Sequence, residues 1–389
     1  MKTITFQANI LASKLAMING IVPQKPAMPI LADFRLETVD DGCGGAYLSA
    51  VASDEECHAR VIIKEATASE TGILICVNAK DLLQVMKTLG DKVVTMEIDE
   101  ESHMIDCKYD KGHFAMPYSD ANEYPMPKDD IDVKMATVLD ANNLLYAIGK
   151  VQYAMGTDDL RPVMSGIHLD FTDHGLVFVA TNSKVLAKLT IKDNKTDTSN
   201  GVTPNFTIPK KIVSVLPNLF DSRSGDVTIK FAENACDIST DDVHLRGRLI
   251  EGRYPNYDAV IPKNVPSHAN INKASWLAAM KRVSPMASIS TEMIKLSFDV
   301  MLKEMNIQTE DIDLSKRANE RIECADVTSE ITMGFKSSIL SQALGSIDTD
   351  NVLFEYSEPS RAALLKEENP ADDSTDYVSL VMPMRIDTI

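Results

Sequence analysis

The sequence predicts an α+β protein built from three repeated domains, each with helices packed on antiparallel sheets. Three observations lead to this prediction. A short strand followed by an amphipathic helix recurs at 3–18, 136–151 and 269–283. A second helical segment recurs in each repeat, and alternating apolar residues, typical of half-buried strands, fill most of the remainder. Two repeats end in a strand followed by Tyr-Pro, at Tyr124-Pro125 and Tyr254-Pro255.

The repeats have a consistent spacing of roughly 130 residues, which is a normal domain size. Leu11, Leu145 and Leu277 occupy equivalent positions in the first helix of each repeat. Pro29 and Pro162 give a second register point, because each precedes a pair of strand-like segments. In the chain of 389 residues, this spacing predicts domains at 1–128, 129–264 and 265–389.

Each repeat contains two helical segments with apolar residues at the three- and four-residue spacing of an amphipathic helix. Asp140 lies where its side chain can cap the first helix of the second repeat. The third repeat lacks the register proline, but 293–311 supplies the equivalent hairpin. The six predicted helices are 8–20, 78–90, 140–156, 209–220, 272–285 and 335–347.

The stretch 248–262 joins the second repeat to the third. Apolar residues alternate before it, as in a strand, whereas Pro255 has no N–H to donate to a strand ladder. We therefore predict that the strand ends here and that Tyr254 and Tyr257 hold an ordered exit from it.

Composition excludes several classes of protein. The hydrophobic content of 44% is enough for packed cores. No run reaches the ~18 apolar residues of a membrane helix, and the N-terminus lacks a signal-peptide pattern, so we expect a cytoplasmic protein without membrane association. The six cysteines show no CxxC pair and are predicted to be reduced thiols. The net charge of −18 argues against a general basic coat for nucleic acid.

The sequence contains no recognisable catalytic or cofactor-binding constellation. The seven histidines lack the HxxxH and HExxH spacings of zinc sites. There is also no GxSxG, GxGxxG or Walker-type motif. His168 and His244 fall in predicted strands and are given structural roles, and the acidic run 99–101 is interpreted as a turn. We therefore expect no catalysis, no metal and no cofactor.

Positive charge is concentrated on the predicted helices. Their only acids are Asp81 and Asp140, and none contains Glu, although Glu suits a helix as well as Lys does. The alternative is that helices merely favour the straight Lys side chain. The segregation predicts an electropositive helical surface suited to the phosphates of duplex DNA. The basic residues of these helices are Lys14, Lys80, Lys87, Lys150, Lys210, Lys211, Lys273, Lys281, Arg282 and Lys336.

Several segments, in this order and spacing, resemble signatures of the bacterial DNA polymerase III β subunit family, the replicative sliding clamps. They are Lys25-Pro26, Met28-Pro29-Ile30-Leu31, RPVMSG (161–166), VATNS (179–183), IPKK (208–211), RLIEGRYPNY (248–257) and VMPMR (381–385). The resemblance covers all three repeats. It implies the DNA clamp fold and a head-to-tail homodimer, which closes into a ring of six domains with helices around the hole.

The resemblance also implies the function: a processivity factor that encircles double-stranded DNA and tethers the replicative polymerase, itself a non-catalytic subunit. The implied partners are the polymerase III catalytic subunit, the clamp loader and other proteins with a clamp-binding motif. Together with the helix charge, it gives the expected DNA contacts Lys25, Lys80, Lys87, Lys150, Lys210, Lys211, Lys273, Lys281, Arg282 and Lys336.

The family's hydrophobic pocket for partner peptides can be carried over to this chain. Methionine suits such a pocket because its side chain is flexible and polarizable. Phe114 resembles the apolar plug of the ring joint, against the region of Met286 in the next subunit. The implied pocket residues are Met164, Thr181, Ser183, Leu186, Pro255, Val260, Leu380, Val381, Met382, Pro383, Met384, Arg385 and Ile386.

Some positions depart from the family pattern. Asn182-Ser183-Lys184-Val185 stands where the family has Asp-Gly-His-Arg, and Ala259 replaces a basic pocket residue. Asp158 lies where the family often faces DNA with a neutral side chain, and Asp387-Thr388-Ile389 extend the usual end. The preferred partner peptide therefore stays open. Two alternative functions also remain: an enzyme with repeated β-rich domains, and an accessory scaffold from a mobile element that shares the fold.

Overall fold

The computed structural model describes residues 2–40, 42, 45–127, 131–158, 160–196, 204–370 and 373–386. In these ranges the chain forms six α-helices and 26 strands, and every strand pairing is antiparallel. The order strand–helix–strands–helix–strands occurs three times. The predicted α+β class, the threefold repeat and all six helices are confirmed.

The first repeat contains two helices, two short 3-10 helices at Pro29–Ala32 and Ala121–Glu123, and ten strands. Its strands are β1 (Lys2–Gln7), β2 (Asp33–Asp40), β3 (Ala46–Ser53), β4 (Cys57–Ile63), β5 (Thr67–Ala68), β6 (Leu74–Asn78), β7 (Val93–Asp99), β8 (Met104–Tyr109), β9 (Gly112–Pro117) and β10 (Ser119–Asp120). Its helices are α1 (Ala8–Ile18) and α2 (Ala79–Leu89).

The second repeat follows the same plan with eight strands and 3-10 helices at Gln152–Ala154 and Pro162–Met164. Its strands are β11 (Met135–Asp140), β12 (Gly166–Thr172), β13 (Gly175–Thr181), β14 (Val185–Ile191), β15 (Asn205–Pro209), β16 (Asp226–Phe231), β17 (Ala235–Ser239) and β18 (Val243–Arg248). Its helices are α3 (Ala141–Val151) and α4 (Lys210–Leu219).

The third repeat also has eight strands, with one 3-10 helix at Ser284–Met286. Its strands are β19 (Ser267–Asn272), β20 (Met293–Asp299), β21 (Glu304–Asp311), β22 (Lys316–Ala325), β23 (Ile331–Lys336), β24 (Asn351–Tyr356), β25 (Ala363–Glu367) and β26 (Thr375–Val381). Its helices are α5 (Lys273–Val283) and α6 (Ser337–Gly345).

Short polar side chains set the starts of three helices. The Asn78 side chain accepts a hydrogen bond from Asp81 N at 3.1 Å, and Asn272 accepts one from Ser275 N at 3.0 Å. Asp140 accepts from Asn142 N at 2.8 Å, which confirms its predicted position at the start of α3. Such caps satisfy backbone donors that the first turn of a helix leaves without partners.

The chain divides into two compact units, 1–145 with 211–249, and 146–210 with 250–389. The first unit contains a five-stranded sheet, β5-β1-β7-β8-β9, and a nine-stranded sheet, β10-β6-β2-β3-β4-β18-β17-β16-β11. The second contains a twelve-stranded sheet, β15-β12-β13-β14-β26-β25-β24-β19-β22-β21-β20-β23. The domain boundaries near 128 and 264 stay predictions, and residue 128 itself lies outside the described residues.

Each unit buries helices against sheets. In the first unit α1 packs on α2 and on β4, and Leu11, Leu15 and Leu82 are fully buried. In the second unit α5 packs on α6 and on β22, and Trp276 lies edge-on to Phe354 with ring centroids 5.4 Å apart. Burying a large apolar side chain contributes about 1.5–3 kcal/mol, so these faces stabilise the arrangement of helix on sheet.

Strands of successive repeats join edge to edge in equivalent ways. In the first unit β4 pairs with β18, and in the second unit β14 pairs with β26. β14 is the repeat-two counterpart of β4, and β26 is the repeat-three counterpart of β18. β22 is the repeat-three counterpart of β4 and β14, and β9 is the repeat-one counterpart of β18 and β26. Among the described residues, β9 pairs only with β8, and β22 pairs with β21 and, at its last two residues, with β19.

Candidate peptide groove and basic surfaces

One face of the large sheet in the second unit carries a continuous apolar strip. Leu186 of β14 lies opposite Leu380 of β26, and Leu380 lies opposite Leu364 of β25. Residues directly opposite each other in an antiparallel pair share a face. Val177 and Val179 extend the strip onto β13, and all five side chains are buried in one cluster.

The segment that follows β18 lies over this strip. The Tyr254 ring stacks on His168, with ring centroids 4.2 Å apart and an interplanar angle of 4°. The Tyr257 hydroxyl donates to the Asp170 carboxylate. Lys188 Nζ lies 2.7 Å from Asp258 Oδ1. The prediction that Tyr254 and Tyr257 hold an ordered exit is therefore confirmed.

The polar contacts beneath this segment are specific. His168 is buried and its Nδ1 lies 2.9 Å from Thr207 Oγ1, so its predicted structural role is confirmed. Burial raises the pKa of Asp170, but hydrogen bonds from His168 and Tyr257 outweigh burial and leave the pKa below its usual value. Burial and the same hydrogen bond raise the pKa of Tyr257, so its hydroxyl remains a donor.

The turn between β13 and β14 closes one end of the strip. The Asn182 side chain accepts hydrogen bonds from Lys184 N and Val185 N, both at 3.0 Å. Ser183 has φ of +73°, a left-handed conformation that favours glycine. The resemblance places glycine at this position, so a serine here holds the family's turn at some cost in backbone strain.

Met164 joins the strip through this turn. Arg161 Nη1 donates to Ser183 Oγ at 2.9 Å, and Ser183 Oγ lies 3.7 Å from Met164 Sδ. The Thr181 hydroxyl donates to Val185 O at 2.8 Å. Met164, Thr181, Ser183, Leu186 and Leu380 are thus brought together at one end of the groove.

The C-terminal segment runs past the same turn. Met382 N donates to Lys184 O at 2.8 Å, and the Met382 side chain is 41% exposed. Met384 N then donates to Gly334 O at 2.7 Å. A Cβ added to Gly334 would meet Ile386 Cγ1 at 3.0 Å, so Ile386 lies there too. Pro383, between them, is half-buried, and Arg385 is exposed.

One of the predicted pocket residues belongs to the core instead. Val381 lies opposite Val185 and Ala363, and is only 1% exposed. Successive strand residues point to opposite faces, so Val381 faces away from the strip that carries Leu380. Including it in the pocket was wrong.

Two residues predicted for the pocket lie on the segment that follows β18 and covers the strip. Pro255 is half-buried, whereas Val260 is 57% exposed. Ala259, the departure from a basic residue, is exposed, and its N–H donates to Asn256 Oδ1 at 3.3 Å. The extension Asp387-Thr388-Ile389 lies outside the described residues.

Three buried residues of the apolar strip were not among those predicted for the pocket. Val177, Val179 and Leu364 are buried beneath Tyr254 and Tyr257 in the same cluster. β13 is apolar and buried along its whole length, so its sequence alone does not show which of its residues face the strip. The register that brings Leu364 to them is set by pairing with β26, which no local pattern announces.

The predicted DNA contacts of the first unit differ in accessibility. Lys25, Lys80 and Lys87 are exposed and have no ion-pair partner among the described residues. Lys80 and Lys87 lie seven residues apart on α2, so they share one side of that helix. Lys211 is paired with Asp54.

In the second unit, Lys210 and Lys281 are exposed and likewise lack an ion-pair partner in the described ranges. Arg282 Nε donates to Glu320 Oε2 at 2.8 Å. Lys336 Nζ lies 3.5 Å from Glu292 Oε1. Lys273 donates to the carbonyl of Ile347 at 2.8 Å. Asp158, expected near DNA, lies 3.7 Å from Arg161 Nε.

Lys150 cannot contact DNA in this structure, which corrects its assignment. The side chain is 4% exposed, and its ammonium lies 2.6 Å from Glu367 Oε1 and 2.8 Å from Asp348 Oδ2. It also donates to Ser346 O at 2.6 Å. Burial raises the pKa of Asp348, but Lys150 and Tyr146 outweigh burial and keep the pKa below its usual value. A lysine held in this way is part of the fold.

The two residues predicted for a subunit joint lie on β9 and next to β22, the two strands whose counterparts join successive repeats. Phe114 is half-buried on β9, with its ring centroid 6.4 Å from that of Tyr109. Met286 is 38% exposed and ends the 3-10 helix that contacts β21 and β22.

The described residues contain no group of three or more His, Cys, Asp or Glu side chains placed to hold a metal ion. None of their helices combines the length and apolar character needed to cross a membrane.

Almost the whole chain matches models of one known protein family. Residues 2–128 match the family described as DNA polymerase III beta subunit, N-terminal domain. Residues 138–256 match the central domain of the same subunit, and residues 258–385 match its C-terminal domain. The three matches follow each other in the order of the repeats.

Relatives and solved structures of similar length lead to the same family. The beta sliding clamp of Streptococcus pneumoniae strain R6 is 23% identical over 389 residues, covering 97% of each chain. The crystal structure of the DNA polymerase III subunit beta from Pseudomonas aeruginosa has a TM-score of 0.89 at 22% identity, covering 99% of this chain and 100% of that one. A Pseudomonas aeruginosa sliding clamp bound to griselimycin has a TM-score of 0.88 at 22% identity, with the same coverage. These structures share the fold of this chain.

Proposed function

The chain belongs to the family of DNA polymerase III beta subunits, and from this membership we propose that it is a sliding clamp. Two copies would close head to tail into a ring around duplex DNA in the bacterial cytoplasm. The ring would catalyse no reaction itself. It would keep the polymerase III catalytic subunit at high effective concentration near the primer end, because a ring cannot leave DNA sideways.

The observation that supports ring closure best is the pattern of strand edges. Two strand-to-strand junctions, β4 with β18 and β14 with β26, use equivalent strands of successive repeats. The third such junction would need β22 and β9, and within one chain no pairing between them occurs in the described residues. An unpaired strand edge is a template for another chain. We infer that β9 of one subunit pairs with β22 of the other.

This pairing explains the positions of two residues that the resemblance singled out. Phe114 lies on β9, and Met286 lies on the 3-10 helix in contact with β22. Edge pairing between subunits would bring the Phe114 ring towards Met286 of the second copy. Both side chains are part-exposed in the single chain, so the joint would cover apolar surface.

The cations divide into two classes of proposed DNA contact. Lys25, Lys80, Lys87, Lys210 and Lys281 would bind phosphates directly, because they are exposed and without ion-pair partners in the described residues. Arg282 and Lys336 would first exchange a carboxylate for a phosphate, at little cost since largely exposed ion pairs contribute only about 0–1 kcal/mol. For Lys211 the exchange would cost more, because it would leave the 7% exposed Asp54 carboxylate without its partner. Phosphate contacts tolerate any sequence, as sliding requires.

The groove would receive short peptides from partner proteins, including the clamp loader and polymerases. Its apolar floor would be formed by Leu186 and Leu380, and Met164 and Met382 lie at the turn beside it. Flexible methionines next to a rigid floor suit a site that serves several partners.

The first test is molar mass by light scattering, combined with retention on circular and linearised DNA after loading. A mass near twice 42.8 kDa, with retention on circles and loss from linear ends, is expected of a ring. Replacing Lys80 and Lys87 by Glu should shorten retention, whereas Lys230→Glu, which reverses one exposed charge on a sheet strand, should not. A monomer that binds neither form of DNA would contradict the proposal and favour the accessory scaffold.

A second test addresses the groove with griselimycin, the ligand of the Pseudomonas aeruginosa clamp. Isothermal titration calorimetry should detect binding to the wild-type chain. Met382→Asp should weaken it about tenfold or more, which equals about 1.4 kcal/mol. Met301→Asp, on an 86% exposed loop residue, is the matched control and should leave affinity unchanged.

A further inference from the structure

Two methionines border the proposed groove at the turn between β13 and β14. Met382 N donates to Lys184 O at 2.8 Å, and the Met382 side chain is 41% exposed. Met164 is half-buried, and its Sδ lies 3.7 Å from Ser183 Oγ in a contact at the surface. Small molecules in solution can therefore reach both side chains. Met164 and Met382 are called the groove methionines below.

Solvent access separates the groove methionines from the methionines of the core. In the same unit Met280 is 1% exposed, and Met305 and Met333 are 0% exposed. A dissolved oxidant has to touch a sulfur atom to oxidise it, so a low dose of peroxide reaches the groove methionines and spares these three. Met301, 86% exposed on the turn between β20 and β21, is reached as well but lies outside the groove.

A polarised hydroxyl group lies beside the Met164 sulfur. Arg161 Nη1 donates to Ser183 Oγ at 2.9 Å, and the Ser183 hydroxyl in turn donates to Met164 Sδ. The guanidinium strengthens the hydroxyl as a donor, because hydrogen bonds in a chain polarise one another. A thioether sulfur is only a weak acceptor, so this donor has a poor partner while Met164 is reduced.

Oxidation of Met164 would give the Ser183 hydroxyl a better partner. Methionine sulfoxide is polar, and its oxygen carries the negative end of the S–O dipole next to the sulfur. The glycine that the resemblance places at position 183 would offer no hydroxyl there. The arrangement of Arg161, Ser183 and Met164 therefore fits the oxidised side chain better than the reduced one, and it is a feature of this chain.

We propose that the groove methionines are a reversible oxidation site, which weakens the binding of partner peptides when hydrogen peroxide is present. This inference rests on the proposed function of the groove. The methionine sulfur attacks one peroxide oxygen and the O–O bond breaks. The proton left on the transferred oxygen passes to the departing hydroxide, which leaves as water. Sulfur loses two electrons, and the peroxide is reduced.

The Ser183 hydroxyl assists this step at Met164. It donates to the departing oxygen as the O–O bond breaks, and afterwards to the oxygen of the sulfoxide. The Arg161 guanidinium supports it in both roles through the same hydrogen bond. Met382 has no such donor among the described residues, and its oxidation depends on its exposure alone.

Oxidation would change the groove at its border. A thioether is apolar and flexible, whereas a sulfoxide is polar and chiral. Beside the apolar floor of Leu186 and Leu380, an apolar ligand would have to remove water from the sulfoxide oxygens, which costs free energy unless each gains a hydrogen bond. The change is reversible, because methionine sulfoxide reductases restore the thioether.

The experiment compares griselimycin affinity before and after hydrogen peroxide treatment of the full chain, by isothermal titration calorimetry. Peptide mass spectrometry sets the dose, at which both groove methionines are oxidised and Met305 stays reduced. The wild-type chain should lose affinity about tenfold, equal to about 1.4 kcal/mol. Affinity should return after treatment with the two methionine sulfoxide reductases, one for each epimer.

Three variants sharpen the test. Met164→Leu combined with Met382→Leu keeps the apolar volume but cannot form a sulfoxide. Whatever the affinity of this double variant before treatment, peroxide should change it less than about twofold. Met301→Leu removes an exposed methionine outside the groove and should lose affinity as the wild type does. Ser183→Gly, which suits the φ of +73° at this position, should slow oxidation of Met164 about threefold, the effect of one hydrogen bond.

Unchanged affinity after both groove methionines are oxidised would overturn the inference, as would an equal loss in the double variant. A loss that the reductases do not reverse would indicate damage elsewhere and would also overturn it. Equal rates of Met164 oxidation in the wild type and in Ser183→Gly would remove the contact on which the inference stands. Failure of the untreated chain to bind griselimycin would instead refute the groove itself, so the two failures are distinguishable.

Discussion

Replacing Lys150 by methionine tests the conclusion that this lysine belongs to the fold. The ammonium lies 2.6 Å from Glu367 Oε1 and 2.8 Å from Asp348 Oδ2, and the lysine side chain is 4% exposed. Methionine keeps most of the chain length and removes the charge. The Glu367 carboxylate, 11% exposed, would keep the N–H of Asp348, at 3.1 Å, as a hydrogen-bond donor.

Removing one partner of a buried ion pair typically costs about 3–5 kcal/mol, because the other charge is left uncompensated. We expect the lower end of that range, since Asp348 is more exposed than Glu367 and can turn to water. Adding Glu367→Gln removes the stranded charge. The double variant should therefore lose about 1–3 kcal/mol less free energy of unfolding than the sum of the two single losses.

Trp276 gives a direct assay of the unit that contains Lys150. It is the one tryptophan of the sequence and is fully buried on α5 in the second unit. Its fluorescence during urea unfolding should report the loss for Lys150→Met. Lys281→Met, on an exposed position of the same helix, should change the free energy of unfolding by less than about 0.5 kcal/mol. Unchanged stability together with shortened DNA retention would refute the reasoning and return Lys150 to the DNA surface.

Three further predictions follow from the same structure. Phe114→Asp should shift the molar mass from dimer to monomer at micromolar concentration, because it places a charge in the proposed joint; a dimer as stable as that of Met301→Asp would contradict the β9–β22 pairing. Met382→Asp should lose griselimycin affinity while its urea unfolding stays wild-type, since the side chain is 41% exposed; a matching loss of stability would indicate unfolding instead. Burial raises the pKa of Asp237, but hydrogen bonds from Arg246 outweigh burial and hold it at about 2, below the ordinary 3.8. The resulting stability, about 1–2 kcal/mol, is complete above about pH 4 and is lost as the pH falls towards 2. Asp237→Asn should abolish that part of the acid dependence, and far-ultraviolet circular dichroism would measure it.

The sequence by itself determined the repeat, the helices and the helix start at Asp140. These features depend on neighbours a few residues apart: an apolar period, a capping side chain, a proline that cannot continue a strand. The same holds for the Tyr254-Pro255 exit. The family signatures, in order along three repeats, were readable for the same reason.

Tertiary structure decided which lysines are exposed and which faces of the strands carry the apolar strip. Lys150 and Lys281 are both lysines on amphipathic helices, yet one is buried between carboxylates more than 190 residues away in sequence and the other is exposed. Val381 and Leu380 are neighbours and so lie on opposite faces of β26, but only the register with β14 decides which of them faces the apolar strip. The two junctions share one backbone plan, but long-range pairing sets Leu186 against Leu380 in one and His58 against Arg246 in the other. A local pattern specifies an element, whereas its partner is chosen by contacts that form only when distant strands meet.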